Sequence, residues 1–338
     1  MFNLSNYNYE TRDIPEQWHA YVEGLNQHYG NFNDFGRQVL ENNLIPHRLK
    51  QYFGLKAEFE KHDNLDHDFP LIQIMSMPRS GSTYLHRCLA TSGIFHGPQF
   101  FEFQQPLPIT DDINRQKKID DCKKITELFQ FKSFGGTHTV GAEDFEDDPQ
   151  ALFPPMLADS IHFAFRCKPF VEYCHQRYKK NNDALIWQKS FYNLLWRNKQ
   201  AEFFLCKTPL LTANSVKDFK EVFPNSKIIW ITRDKDAQKE SLTNALYNYR
   251  KNYTNISKVE CNLDAYDINR NATERYRDMV SVDHLHVTYD ELVQNPMRIM
   301  SKIFEYCNLD ATKYYGKMET GIANLVEIRK AFGAIPQK

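Results

Sequence analysis

Long apolar runs are missing from this sequence of 338 residues. The longest stretches, such as Phe69–Met77, fall far short of the ~18–20 residues that cross a bilayer and carry a glutamine, which argues against an integral membrane helix. Glycine and proline are sparse, 13 and 15 residues, and no Gly/Ser/Pro-rich stretch or internal repeat occurs. Collagen-like, disordered and repeat architectures are therefore excluded, and nothing demands a domain cut. An excess of either charge is also lacking, with 42 Lys and Arg against 43 Asp and Glu. Without a global field, the chain is not expected to bind nucleic acid or a membrane surface, so any anion site has to be built locally. The opening MFNLSNYNYETRDIPEQ has no basic segment leading into an apolar one, so a cytoplasmic location is expected, with the sequons at Asn252, Asn255 and Asn271 unused. Seven cysteines is an odd number, and no C-x-x-C or paired zinc-like spacing is present. Reduced, mostly buried thiols are expected, with neither a disulfide framework nor a structural zinc.

What is present is a globular composition, 41% hydrophobic and 14% aromatic, arranged in alternating patterns. Residues 1–65 read as a helical preface, with Leu40, Leu44, Leu49 and Phe53 loosely at helical spacing, closed by the turn-rich KHDNLDHDFP. Leu71–Met77 predicts a strand; Tyr84, Leu85, Cys88 and Leu89 predict a helix over Thr83–Ser92, with a Ser/Gly turn between. Further helices are expected over Arg115–Phe131, in two or three segments across Leu152–Arg197, over Ser215–Phe223 and over Ile299–Cys307. Strands are expected at Phe203–Cys206, Ile228–Thr232 and Leu285–Val287. Strands alternating with helices imply an α/β fold: a P-loop-like parallel sheet with helices on both faces. The expected organisation is one domain over 1–338, with a helical extension at 1–65, an α/β core at 69–310 and a tail at 311–338. The acidic stretch AEDFEDDP reads as a solvated turn, although pairing of Glu143, Asp144, Glu146, Asp147 or Asp148 with Arg or Lys stays open.

The turn Met77-Pro78-Arg79-Ser80-Gly81-Ser82-Thr83 carries the chemistry. Gly81 permits a tight turn, backbone N–H groups and the following helix dipole converge on one concavity, and Arg79, Ser80, Ser82 and Thr83 add donors. A phosphate fits such a place. A plain N-capped helix would explain the small residues but not the arginine. A Walker A loop needs G-x-x-x-x-G-K-[ST] and a dinucleotide fingerprint needs three glycines, and the turn satisfies neither. It resembles instead the 5′-phosphosulfate loop of sulfotransferases that use 3′-phosphoadenosine 5′-phosphosulfate, in the bacterial-type form P-R-S-G-[ST]-T. Further segments are similar to that family in order. IIWITRDKDAQKES places Arg233 and, eight residues on, Ser241 where the family holds a 3′-phosphate, although a salt-bridged strand end also accounts for Arg233-Asp234. CKTPLLTANSVKDFKEVFPNSK and VTYDELVQNP match two more motifs, and Phe101-Glu102 follows Gly97-Pro98 where relatives carry a glutamate. The resemblance covers roughly residues 30–310.

It implies transfer of a sulfuryl group from that donor to a hydroxyl or amine of a small-molecule, lipid or glycan acceptor, leaving 3′-phosphoadenosine 5′-phosphate. Arg79 and Lys207 would neutralise developing charge without a metal. Arg79, Ser80, Gly81, Ser82, Thr83, Tyr84, Arg233 and Ser241 would hold the nucleotide, with Tyr289 against its adenine. Some relatives place a histidine base two residues after the lysine; here that position is Pro209, so the base is expected to be Glu102 or, second, His138. The G-x-x-G-x-x-K lid of one branch is not visible in Gly316–Lys338. Two alternatives stand beside this reading: a P-loop kinase or nucleotide-binding protein, and an inactive binding protein of the same fold. Nothing in the sequence sets an oligomeric state.

Overall fold

In LIQIMS every residue is buried, as a strand covered on both faces requires, and this segment is β1 (Leu71–Ser76), the middle of a five-stranded sheet. The computed structural model describes residues 1–107, 114–128, 140–197 and 202–331. With β2 (Phe95–His96), β3 (Phe203–Thr208), β4 (Lys227–Thr232) and β5 (Leu285–Thr288), the order is β2-β3-β1-β4-β5 and every pairing is parallel. The expected strands are all found, and β3 runs two residues further than expected, so that Lys207 and Thr208 belong to the strand itself. The two-residue edge strand β2 was not expected.

Three helices form the preface: α1 (Glu16–Gln27), α2 (Asp34–Val39) and α3 (Ile45–Phe59). A π turn, Leu40–Leu44, joins α2 to α3, whose second residue is Pro46. Proline has no N–H for the preceding turn, and the widened turn absorbs the missing bond. There follow α4 (Ser82–Ala90), α5 (Phe100–Gln104), α6 (Arg115–Leu128), α7 (Lys168–Tyr178), α8 (Asp183–Trp196), α9 (Val216–Val222), α10 (Lys235–Arg250), α11 (Lys258–Arg275), α12 (Tyr289–Gln294), α13 (Pro296–Tyr306) and α14 (Tyr315–Ala331).

Alternation along β1 feeds two apolar layers. Leu71 and Met75 join Phe204, Cys206 and Ile228 under Phe191, Tyr192, Phe219 and Leu242 of α8, α9 and α10. Ile72 and Ile74 join Leu205, Ile229, Ile231 and Val287 under Leu85 and Leu89 of α4, Ile303 of α13 and Met318 of α14. The preface has its own core, in which Trp18, Tyr21 and Leu25 pack with Phe170 and Cys174 of α7. All seven cysteines are free and buried. Among the described residues no helix is long and apolar enough to cross a membrane.

Candidate active site

Register brings the carboxyl ends of four strands to one edge: Met75 stands beside Thr208, Ser76 beside Ile231 and Thr232 beside Thr288. Strand order runs away from β1 on both sides, and ligands of open α/β sheets bind in the crevice at such a switch point. The turn from β1 to α4 therefore lies between the ends of β3 and β4.

Two residues of this turn are left-handed, Gly81 at φ 94° and Arg79 at φ 68°. That conformation costs a non-glycine residue roughly 1–2 kcal/mol. Gly81 is needed for a second reason, since a Cβ there would stand 2.5 Å from Cδ2 of Tyr289. Gly81 starts α4, whose first-turn N–H groups have no partner inside the helix. Ser80 is buried, and Ser82 accepts a hydrogen bond from Ser76 at 3.0 Å. The Gln238 side chain donates to Pro78 O and is itself bonded to Asn269, which ties the turn to α10 and α11. Tyr84 lies in the apolar layer with Ile72 and Leu85.

Arg79 Nε donates to Ser241 Oγ at 3.3 Å. Arg233 Nη1 donates to Arg79 O at 3.2 Å, and its guanidinium lies 4.4 Å from the centre of the Tyr289 ring. Asp234 does not salt-bridge Arg233; its carboxylate caps α10 by accepting from Ala237 N at 2.9 Å. Burial, and after it the neighbouring Arg233 charge, holds the Arg79 guanidinium below its ordinary pKa. Neither arginine forms an ion pair among the described residues. Two neighbouring positive charges with no carboxylate beside them among the described residues have the chemistry to take an anion.

Lys207 is 1% exposed, so it is not a surface lysine. Its Nζ donates to Thr83 Oγ1 at 2.9 Å and meets the carboxylate of Asp147. Burial outweighs the attraction of Glu146 and brings its pKa down to about 8. Its backbone N–H donates to Asp148 Oδ1 at 3.2 Å, and Gln73, a buried polar residue in the middle of β1, donates to Asp148 Oδ2 at 2.5 Å. Burial raises the Asp148 pKa to about 7 despite these bonds.

The acidic stretch is therefore not a solvated turn. Glu146 and Asp148 are buried, Asp144 pairs with Arg87 at 2.8 Å and Glu143 with Arg115 at 3.0 Å. Its backbone also takes the N–H groups of Phe100 and Phe101 at the start of α5. Glu102 lies on α5, where Oε2 accepts the Gln99 N–H at 2.8 Å in a reciprocal capping box. Arg48 of α3 holds the far end of α5 through Phe103 O and the Gln104 side chain. His138 lies outside the described residues. Contacts thus bring together Arg79, Thr83, Lys207, Arg233, Ser241 and Tyr289, with Gly81 beneath the Tyr289 ring. Sequence reasoning missed Gln73 and Gln238 and left the pairing of Asp147 and Asp148 open; the polar Gln73 inside an apolar strand was the one local signal. Among the described residues no group of three or more His, Cys, Asp or Glu is placed to hold a metal ion.

A sequence model of the sulfotransferase family matches residues 70–313. The chain belongs to the sulfotransferase family. Among solved structures, sulfotransferase STF9 from Mycobacterium avium matches 98% of this chain and 84% of its own, with a TM-score of 0.77 at 18% identity. Sulfotransferase STF1 from Mycobacterium tuberculosis H37Rv matches 96% and 92%, with a TM-score of 0.73 at 14% identity. At such identities the likeness is one of fold, and it extends over the helical preface as well as the sheet. No curated protein matches this sulfotransferase in sequence.

Proposed function

We propose that this sulfotransferase moves the sulfuryl group of 3′-phosphoadenosine 5′-phosphosulfate to a hydroxyl or amine of a small-molecule, lipid or glycan acceptor. The observation that carries the reading is the Arg79–Arg233 pair, two neighbouring arginines with no carboxylate partner among the described residues, at the switch point of a parallel sheet. Such a pair asks for a ligand with more than one phosphate-like group. In this reading the first turn of α4, with Arg79, Ser80, Gly81, Ser82 and Thr83, holds the 5′ end of the donor. Arg233 and Ser241 hold its 3′-phosphate, and the Tyr289 ring lies beside its base.

The donor supplies an electrophilic sulfur with a phosphate leaving group. The protein's own work is positioning and charge neutralisation. Lys207 and Arg79 place positive charge where the leaving phosphate gains negative charge, which gives the protein a route to transfer without a metal. Low solvent access around Lys207 strengthens that interaction. The seven free, buried thiols suit a reducing, cytoplasmic setting.

The test is a mass-spectrometric screen of hydroxyl and amine compounds incubated with the sulfated donor. A sulfuryl mass gain on an acceptor, with matching release of 3′-phosphoadenosine 5′-phosphate, is the expected result. Phosphate transfer from ATP–Mg²⁺ with no use of the sulfated donor would replace this reading by a kinase.

A further inference from the structure

Lys207 reaches one carboxylate that no other part of the fold employs. Asp147 precedes the 3₁₀ turn Asp148–Leu152 in the N-cap position, yet its side chain makes no capping hydrogen bond. Among the described residues its side chain pairs with the Lys207 ammonium alone, and Oδ1 is buried. A third of the side chain, 32%, nevertheless stays open, against 1% for Lys207.

The other acids nearby are committed. Asp148 is buried with both oxygens bonded, Asp144 is paired with Arg87, and Glu146 is buried 3.8 Å from the same arginine. Glu102 receives a backbone N–H in its capping box. A carboxylate that touches the charge-neutralising lysine, stays a third open and caps no helix is suited to proton transfer.

Resting on the sulfotransfer reading, we infer that Asp147 takes the proton of the acceptor hydroxyl and that Lys207 covers it until a donor phosphate draws the ammonium away. In the step, the acceptor oxygen forms a bond to sulfur while the bond from sulfur to the donor's 5′-phosphate oxygen breaks. The acceptor proton passes to the Asp147 carboxylate, and the electron pair of the broken bond stays on the leaving phosphate beside Lys207 and Arg79. The exchange makes the order of binding physical. Without a donor, Lys207 neutralises the base; with a donor, the same ammonium faces the phosphate and the carboxylate is released. Water or acceptor entering an empty site meets no active base.

Two measurements on wild type and Asp147→Asn test this: titration with 3′-phosphoadenosine 5′-phosphate, and release of that nucleotide from the sulfated donor with water as acceptor. The variant is expected to bind the nucleotide more tightly than wild type, by up to about tenfold, since Lys207 has no carboxylate to leave. Its turnover is expected to fall by about 10²–10⁴-fold. An aspartate that does not compete for Lys207 would give unchanged or weaker nucleotide binding, and that result, or unchanged turnover, overturns the inference. So does a large loss in Glu102→Gln beside normal turnover in Asp147→Asn, which moves the proton to Glu102. The affinity comparison needs no turnover and decides the Lys207–Asp147 competition by itself. Wild-type protein that binds no nucleotide overturns the sulfotransfer reading instead, a different outcome from tight binding with an unchanged variant.

Discussion

Around the carboxyl end of β1, the two sides of the crevice carry opposite electrostatics. On the β4 side, Arg79 and Arg233 lie together with no carboxylate partner among the described residues, steadied by Ser241, a backbone carbonyl and the Tyr289 ring. On the β3 side, Lys207 is met by Asp147 at its ammonium and by Asp148 at its backbone. Uncompensated cations hold a polyanion in place, whereas a cation already sharing a carboxylate can exchange partners. On the proposed reading the first side binds and the second moves charge, and the turn at Arg79–Thr83 belongs to both.

The largest effect that separates the two sides is expected from Lys207→Met, which keeps the buried stem and removes the charge. Transfer should fall by about 10²–10³-fold in single-turnover measurements, the usual loss when one donor to a developing negative charge is removed. A comparable loss of nucleotide affinity would erase the distinction between the sides.

Arg233→Ala should do the reverse. Losing a charge-assisted phosphate contact costs about 1.5–3 kcal/mol, so affinity for 3′-phosphoadenosine 5′-phosphate should weaken ~10–150-fold by calorimetry. The rate of transfer from bound donor should change far less.

The smallest effect concerns pH. Burial brings the Lys207 pKa down to about 8 in the nucleotide-free protein, with Glu146 opposing and Arg87 and Arg79 assisting. An anionic donor favours the ammonium, so below pH 8 the charge is already present and above it binding must take up a proton. Affinity for the nucleotide should fall modestly above about pH 8 and level off within about tenfold in all. Lys207→Arg, which stays charged, should flatten that limb. An unchanged slope in that variant would assign the titration to another group.

The β4 side was legible in the sequence because its parts are local. Arg79, Gly81 and Thr83 share one turn, and Arg233, Asp234 and Ser241 share one strand end and helix, so fixed intervals carry the geometry. The β3 side was not. Asp148 finds Gln73 and Asp147 finds Lys207 across long stretches of chain, and a row of acids with distant partners looks like a solvated turn. Helix α11 was missed for a related reason. Its buried face, Cys261, Asp264, Ala265, Ile268, Ala272 and Arg275, has helical spacing but includes two charged residues. Asp264 is met there by Arg250 and Arg166, and Arg275 by Asp159, so the apolar periodicity is broken by ion pairs. The strands were legible because β1, β3 and β4 are buried on both faces and read as apolar runs.

Arg79 and Arg233 beside the β1 turn are expected to bind the sulfated donor's nucleotide without a metal. Calorimetric titration of the protein with 3′-phosphoadenosine 5′-phosphate in excess EDTA tests it most directly, with ATP–Mg²⁺ as the comparison. The account predicts saturable one-to-one binding that persists in EDTA, disappears in an Arg79→Ala, Arg233→Ala double variant and is far tighter than binding of ATP–Mg²⁺. Tighter binding of ATP–Mg²⁺, abolished by EDTA, would contradict it.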